Sequence, residues 1–143
     1  SFDEKIKTMK KIFGIFLLMG GMVTATFAQK VAAAKVPAAV KTAFTKSHPG
    51  VKVNWEMEKQ NYEAGFTFNG KETSEVYSVA GALLETEVSI KASEFPAAVM
   101  ARLKGMKVAE AAKITKADGT VSYEAEVKGK DLLFDASGHP VKP

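Results

Sequence analysis

The chain contains no cysteine. That absence excludes disulfides, thiolate metal sites, thiol nucleophiles and redox motifs, so an exported domain of this size would rest on burial alone. Arginine is nearly missing as well: Arg102 is the single one, and no basic cluster carries interleaved aromatics. The positive net charge is therefore no argument for nucleic acid. No apolar run approaches the roughly 20 residues of a membrane-crossing helix. Gly-x-Ser-x-Gly, His-Glu-x-x-His and phosphate-cradling loops do not occur.

What is present begins with an address. Met9-Lys10-Lys11 is a short basic start, Ile12 to Val23 is apolar apart from glycine, and Thr24-Ala25-Thr26-Phe27-Ala28 sets small residues at its last and third-last positions. This is the pattern of a secretory signal peptide over residues 9–28, with cleavage expected after Ala28 and a periplasmic or secreted product. Residues 1–8 read as an upstream polar segment. Removing residues 1–28 takes away four lysines (5, 7, 10 and 11) and two acids (Asp3 and Glu4), which lowers the formal charge from +4 to +2. The remaining chain, 29–143, is long enough for one domain with one modest core.

Within it the second half echoes the first. Val36-Pro37-Ala38-Ala39-Val40 returns as Phe95-Pro96-Ala97-Ala98-Val99, Tyr62-Glu63-Ala64 as Tyr123-Glu124-Ala125, and Tyr77-Ser78-Val79-Ala80-Gly81 as Phe134-Asp135-Ala136-Ser137-Gly138. The common order predicts two tandem units, 36–90 and 94–143. Each opens with a helix. Val36, Val40, Ala43 and Phe44 share a stripe that His48-Pro49-Gly50 ends; Phe95, Val99 and Leu103 form the second stripe, with Ser93 as its N-cap and Gly105 beyond its end.

Strands follow. Val51, Val53, Trp55 and Met57, then Tyr62, Ala64, Phe66 and Phe68, alternate with polar residues, and Asn69-Gly70 joins two of the strands as a hairpin. Tyr77 and Val79 are expected to continue the apolar face. In the second unit Val121, Tyr123, Ala125 and Val127 alternate before Lys128-Gly129 turns into Leu132, Phe134 and Ala136, and His139-Pro140-Val141 is a stub. Both hairpin arms shorten by two residues between the units. A change of two preserves strand parity and keeps the aromatics inward. The fold class is thus α+β: one antiparallel sheet of about seven or eight strands, with two helices packed on one face and a shared core.

The repeated helix-and-strand pattern of an exported chain, together with Leu133-Phe134-Asp135-Ala136-Ser137-Gly138-His139-Pro140-Val141, resembles the PepSY-like proteins, which are similar to the beta-lactamase-inhibitor-protein fold. The resemblance spans nearly all of residues 30–143. It implies an exported, non-enzymatic protein; inhibition of proteases or other enzymes is a role suggested for PepSY domains. The chain lacks the cysteines that beta-lactamase inhibitors use as disulfides, and no inhibitory loop can be matched.

The candidate chemistry is correspondingly thin. His48 is expected to serve the carbonyls at its helix end. Ser137-Gly138-His139 has hydrolase letters in the context of a tight turn. Glu56/Glu58, Glu85/Glu87 and Glu124/Glu126 are acids at spacing two, expected to face water. No catalytic residue, cofactor or metal ligand is assigned. The leading reading is a binding module that contacts a protein or peptide through the helix-free sheet face, using Lys52, Asn54, Glu56, Glu63, Thr67, Glu124, Glu126 and Lys128. A carrier of a small apolar ligand held between sheet and helices is the alternative, and a hydrolase a distant third. A monomer and an edge-joined homodimer both fit.

Overall fold

The computed structural model describes residues 29–142. The signal-peptide reading over 9–28 lies outside them. Eight strands form one antiparallel sheet in sequence order: β1 Gln29–Val31, β2 Asn54–Glu58, β3 Asn61–Phe68, β4 Lys71–Tyr77, β5 Leu83–Ser89, β6 Val108–Lys116, β7 Val121–Val127 and β8 Lys130–Phe134. Helix α1, Ala38–Ser47, lies between β1 and β2, and helix α2, Ala97–Arg102, between β5 and β6. The α+β class, the two helices and the strands β2 to β8 are those the alternation and the stripes predict, although Val51 and Val53 precede β2. β1 is not among them, and the expected stub at His139–Val141 makes only an isolated bridge between Pro140 and Phe134.

Local chemistry explains the element ends. Pro37 and Pro96 occupy the two N-cap positions, each preceded by a short 3-10 turn, Ala33–Lys35 and Ala92–Glu94. Ser93 falls inside the second turn and does not cap α2; Glu94 instead reaches back, its carboxylate accepting from the Lys91 backbone N–H at 2.7 Å. Asn69-Gly70 and Lys128-Gly129 have both residues at positive φ, the geometry that closes a two-residue hairpin in line with the strand twist. Val79 does not prolong β4. The chain leaves the sheet at Ser78, whose N–H donates to the Ala82 carbonyl at 2.9 Å, and Val79 is left exposed.

The core differs from the single one expected. Two separate buried clusters lie beneath the helices. Val36, Val40 and Phe44 pack on Trp55, Ala64, Phe66 and Tyr77, while Phe95, Val99 and Leu103 pack on Ala111, Ala125 and Phe134. Phe44 meets Trp55 and Phe66 edge-on, with ring centroids 5.6 and 5.0 Å apart. The separation has a geometric cause. A ten-residue helix is about 15 Å long and a six-residue one about 9 Å, so each covers only a few strands at roughly 4.8 Å per strand. Between them β5 is bonded to β4 on one side and β6 on the other, and it contributes no residue to the buried part of either cluster.

Two glycines fasten the turns to the helices. A Cβ on Gly81 would stand 2.6 Å from the Ala39 carbonyl oxygen, and one on Gly138 would stand 2.7 Å from that of Ala98. Both lie at positive φ, +84° and +78°. Arg102 reinforces the second contact, its Nε donating to the Gly138 carbonyl at 2.9 Å. Alanine at either position should therefore destabilise the fold by more than the ~1–2 kcal/mol that positive φ alone costs a residue with a Cβ. Gly119→Ala, at a similar φ but with open space around it, supplies that baseline. Urea denaturation of the three variants should rank Gly81→Ala and Gly138→Ala together, clearly below Gly119→Ala.

Candidate functional site

Strand pairing places every side chain on one of two faces. The apolar parity, Trp55–Ala64 and Tyr62–Tyr77 for example, faces the helices. The other face carries three rows that cross the strands. Lys30, Glu56, Glu63, Val76, Glu85 and Lys116 form one row in register from β1 to β6. Asn54, Gly65, Ser74, Glu87, Ile114 and Ser122 form the next. Ala112, Glu124 and Leu133 lie beyond it. Of the acidic residues in 29–143, only Glu75, Glu94, Asp118 and Asp135 lie off this face.

The carboxyls at its centre do not face water. Glu63, Glu87 and Glu124 are 3, 4 and 5 % exposed, and Glu85 is buried beside them. This corrects the expectation of a solvated acidic face: strand parity assigns a residue to a face but says nothing about how deeply that face is buried. Glu87 is the extreme case. Its Oε1 is buried without a hydrogen-bond partner among the described residues. The central acids also sit among like charges. Glu56 stands directly opposite Glu63, and Glu126 opposite both Glu110 and Asp131. Such cross-strand pairs repel.

Proton affinity follows. Burial first, then the neighbouring Glu56 and Glu58, pushes Glu63 up to about 7. Burial raises Glu85 to about 7 against the pull of Lys116. Burial, with Asp131 and Glu85 nearby, raises Glu124 to about 8. Burial and the charges of Glu124 and Glu63 hold Glu87 well above the ordinary carboxylate range. Several mutually shifted carboxyls on one surface are a physical marker of a functional site.

Of the residues assigned to this face from sequence, Glu56, Glu63, Glu124 and Glu126 belong to it, with Asn54 and Thr67 toward the β2–β4 end. Lys52 precedes β2, but with Asn54, Thr67 and Glu72 it lines a groove of about 300 Å³. Lys128 is not on the face: it occupies the left-handed position of the β7–β8 turn. The lysines of the face are Lys30 and Lys116, at the two ends of the first row. Sequence reasoning passed over Glu85 and Glu87 because glutamate alternating with apolar residues reads as a wet surface. A signal was available: acids recur at the outward parity of strand after strand with few lysines between them.

Both histidines meet an acid. The His48 backbone N–H donates to the Phe44 carbonyl at 2.8 Å, but its ring does not serve the helix end. Its ring packs against Phe44, Phe66 and Phe68, and its Nε2 lies 2.9 Å from Glu75 Oε1, whose other oxygen accepts from the Tyr77 hydroxyl. This is a structural network inside the first cluster. His139 is exposed in the last turn, where Asp135 accepts from the Ser137 and His139 backbone N–H groups, both at 2.9 Å. Those bonds hold Asp135 below the usual carboxylate range. Ser137 is a turn residue whose N–H is engaged, as its tight-turn context predicts.

A carboxyl that binds its proton more tightly folded than unfolded makes stability fall as pH rises from its unfolded to its folded value. For Glu63, Glu85 and Glu124 that window runs from about 4.5 to about 8. The melting temperature should therefore drop by several degrees between pH 5 and pH 8.5, at about 4–8 °C per kcal/mol for a domain of this size. Glu87→Gln and Glu124→Gln should each raise it at pH 8.5 and flatten the profile. Calorimetry across that range is the measurement.

No family model and no curated protein matches the sequence. Solved structures do match the fold. A protein from Bacteroides eggerthii described as a candidate periplasmic protein superposes with a TM-score of 0.69 at 21% identity, over 75% of this chain and 86% of that one. A DUF2874 family protein from Bacteroides uniformis gives 0.68 at 21% identity, covering 74% and 86%. A BLIP-like protein from Bacteroides fragilis gives 0.62 at 19% identity, covering 74% and 84%. The chain thus has the fold of these structures, a BLIP-like one among them, in line with the beta-lactamase-inhibitor-like fold that the resemblance implies.

Proposed function

We propose that this chain is an exported, non-enzymatic binding module that contacts a protein or peptide through its helix-free sheet face, with inhibition of an enzyme as one form that contact can take. The observation that carries the reading is the set of buried, like-charged carboxyls on a face that neither helix covers. Glu63, Glu87 and Glu124 are held out of water, and the rows of Glu87 on β5 and Glu124 on β7 contain no lysine. Such groups weaken a fold unless something else makes use of them. The signal-peptide pattern of residues 9–28 and the similarity to a structure described in periplasmic terms support the address.

The same reading takes the chain as a duplication of a PepSY-like unit: strand, 3-10 turn, helix and three strands, used twice. The paired contacts of Gly81 with Ala39 and Gly138 with Ala98 support it. The apolar-carrier alternative is less well supported. The aromatics that would line its cavity instead touch one another, as Phe44 does Trp55 and Phe95 does Tyr123.

Photo-cross-linking tests the proposed face. A benzophenone amino acid at Thr67 or Glu126, on the sheet face, should yield partner adducts in the exported fraction of producing cells. The same probe at Lys41 or Met100, on the helices, should not. Equal yields from both faces, or adducts from the helices alone, would reject the assignment.

A further inference from the structure

We propose that the helix-free face takes an extended polypeptide segment bearing lysine or arginine side chains, which seat against Glu63, Glu87 and Glu124. The inference rests on the binding-module reading above and names the partner's chemistry. Three observations point to it.

The first is charge segregation. A mature chain of slightly positive formal charge keeps most of its acids on one sheet face, where Lys30 and Lys116 stand at the ends of a row and not among the central carboxyls. The complement of that surface is cationic.

The second is spacing. Glu63, Glu87 and Glu124 sit on β3, β5 and β7, one in each successive row, and so lie on a diagonal across the face. Alternate strands are roughly 10 Å apart. Among the described residues no three acids or histidines converge as metal ligands would. One ion cannot satisfy sites so far apart, whereas an extended chain presents same-side residues every ~7 Å on long, adjustable lysine stems.

The third is the unpartnered Oε1 of Glu87, at the middle of the diagonal on a residue 4 % exposed. Its surroundings hold Glu85 on its own strand, Glu63 from β3, Glu124 from β7 and Asp131 from β8. In register its neighbours are Ser74 on β4 and Ile114 on β6, neither of which carries charge. Lys116 on β6 faces Glu85 and not Glu87. An entering ammonium or guanidinium group supplies the missing donor and offsets the repulsion among these acids.

Binding of this kind displaces protons from the carboxyls it pairs. Titration of the mature protein with a short fluorescent peptide of alternating lysine and threonine should therefore show affinity rising at least tenfold from pH 5.5 to pH 8.5. It should also show net proton release at pH 7, read by calorimetry in two buffers of different ionisation enthalpy. Glu87→Gln and Glu124→Gln, which should melt above the parent at pH 8.5, should each weaken binding about tenfold at that pH. Asp118→Asn, in the β6–β7 turn, should leave it unchanged.

The controls separate the two levels of the argument. A serine–threonine peptide that binds as tightly as the lysine peptide, and competes with it, would overturn the cationic assignment while leaving the face as a binding surface. Spermidine that displaces the lysine peptide at equal charge concentration would replace a polypeptide occupant with a small polyamine, and so overturn this inference. Lysine-peptide binding that is indifferent to pH and to both glutamine variants would remove the face from the account altogether.

Discussion

The alternation of side chains across a β-strand is the constraint on which the rest of this structure depends. In a sheet of eight strands joined in sequence order, a two-residue period fixes two surfaces at once. One receives Trp55, Ala64, Phe66, Tyr77, Ala125 and Phe134, and the helices must cover it. The other receives whatever remains, and here acids are its commonest residues. Neither surface could be altered by a one-residue slip without exchanging apolar and acidic residues, so the core and the acidic face enforce a single register between them.

Much of this could be read from the letters. Alternation at Tyr62 to Phe68 and at Val121 to Val127 marked the strands, Asn69-Gly70 and Lys128-Gly129 marked the hairpins, and the two Pro-Ala-Ala-Val segments marked the helix starts. What could not be read depended on three dimensions. β1 is three residues long with no apolar repeat of its own, and only pairing with β2 makes it a strand. The two clusters replaced one because helix coverage is a matter of length against sheet width, which the strand pattern does not contain. Glutamate carries no sign of its depth either: Glu58 and Glu124 look alike in sequence, yet burial lifts the second far more in proton affinity.

The His48–Glu75–Tyr77 network shows a related limit. A histidine at a helix end has a ready local role, and the local role is not the one it takes. Glu75 shares the parity of the core, so its charge enters the apolar layer on the helix side and needs partners there. His48 and Tyr77 provide them, 27 and 2 residues away along the chain. The one acid that the sheet turns toward its helices is hydrogen-bonded on both oxygens, whereas Glu87, at comparable depth on the opposite side, is left with an open lone pair. Depth alone does not separate these two carboxyls; satisfaction of their oxygens does.

The sequence-ordered sheet also bears on how a chain without disulfides reaches its fold. Five of the seven strand-to-strand connections are turns, and only the segments that carry α1 and α2 require a longer excursion before pairing resumes. Loop-closure entropy grows slowly with length, by about 0.6 kcal/mol per doubling, and local pairing speeds assembly. Each helix lies inside the very loop whose ends it must help bring together, so burying its apolar stripe and closing that loop are a single event. Chain connectivity thus supplies some of the order that covalent cross-links provide in many exported domains of this size.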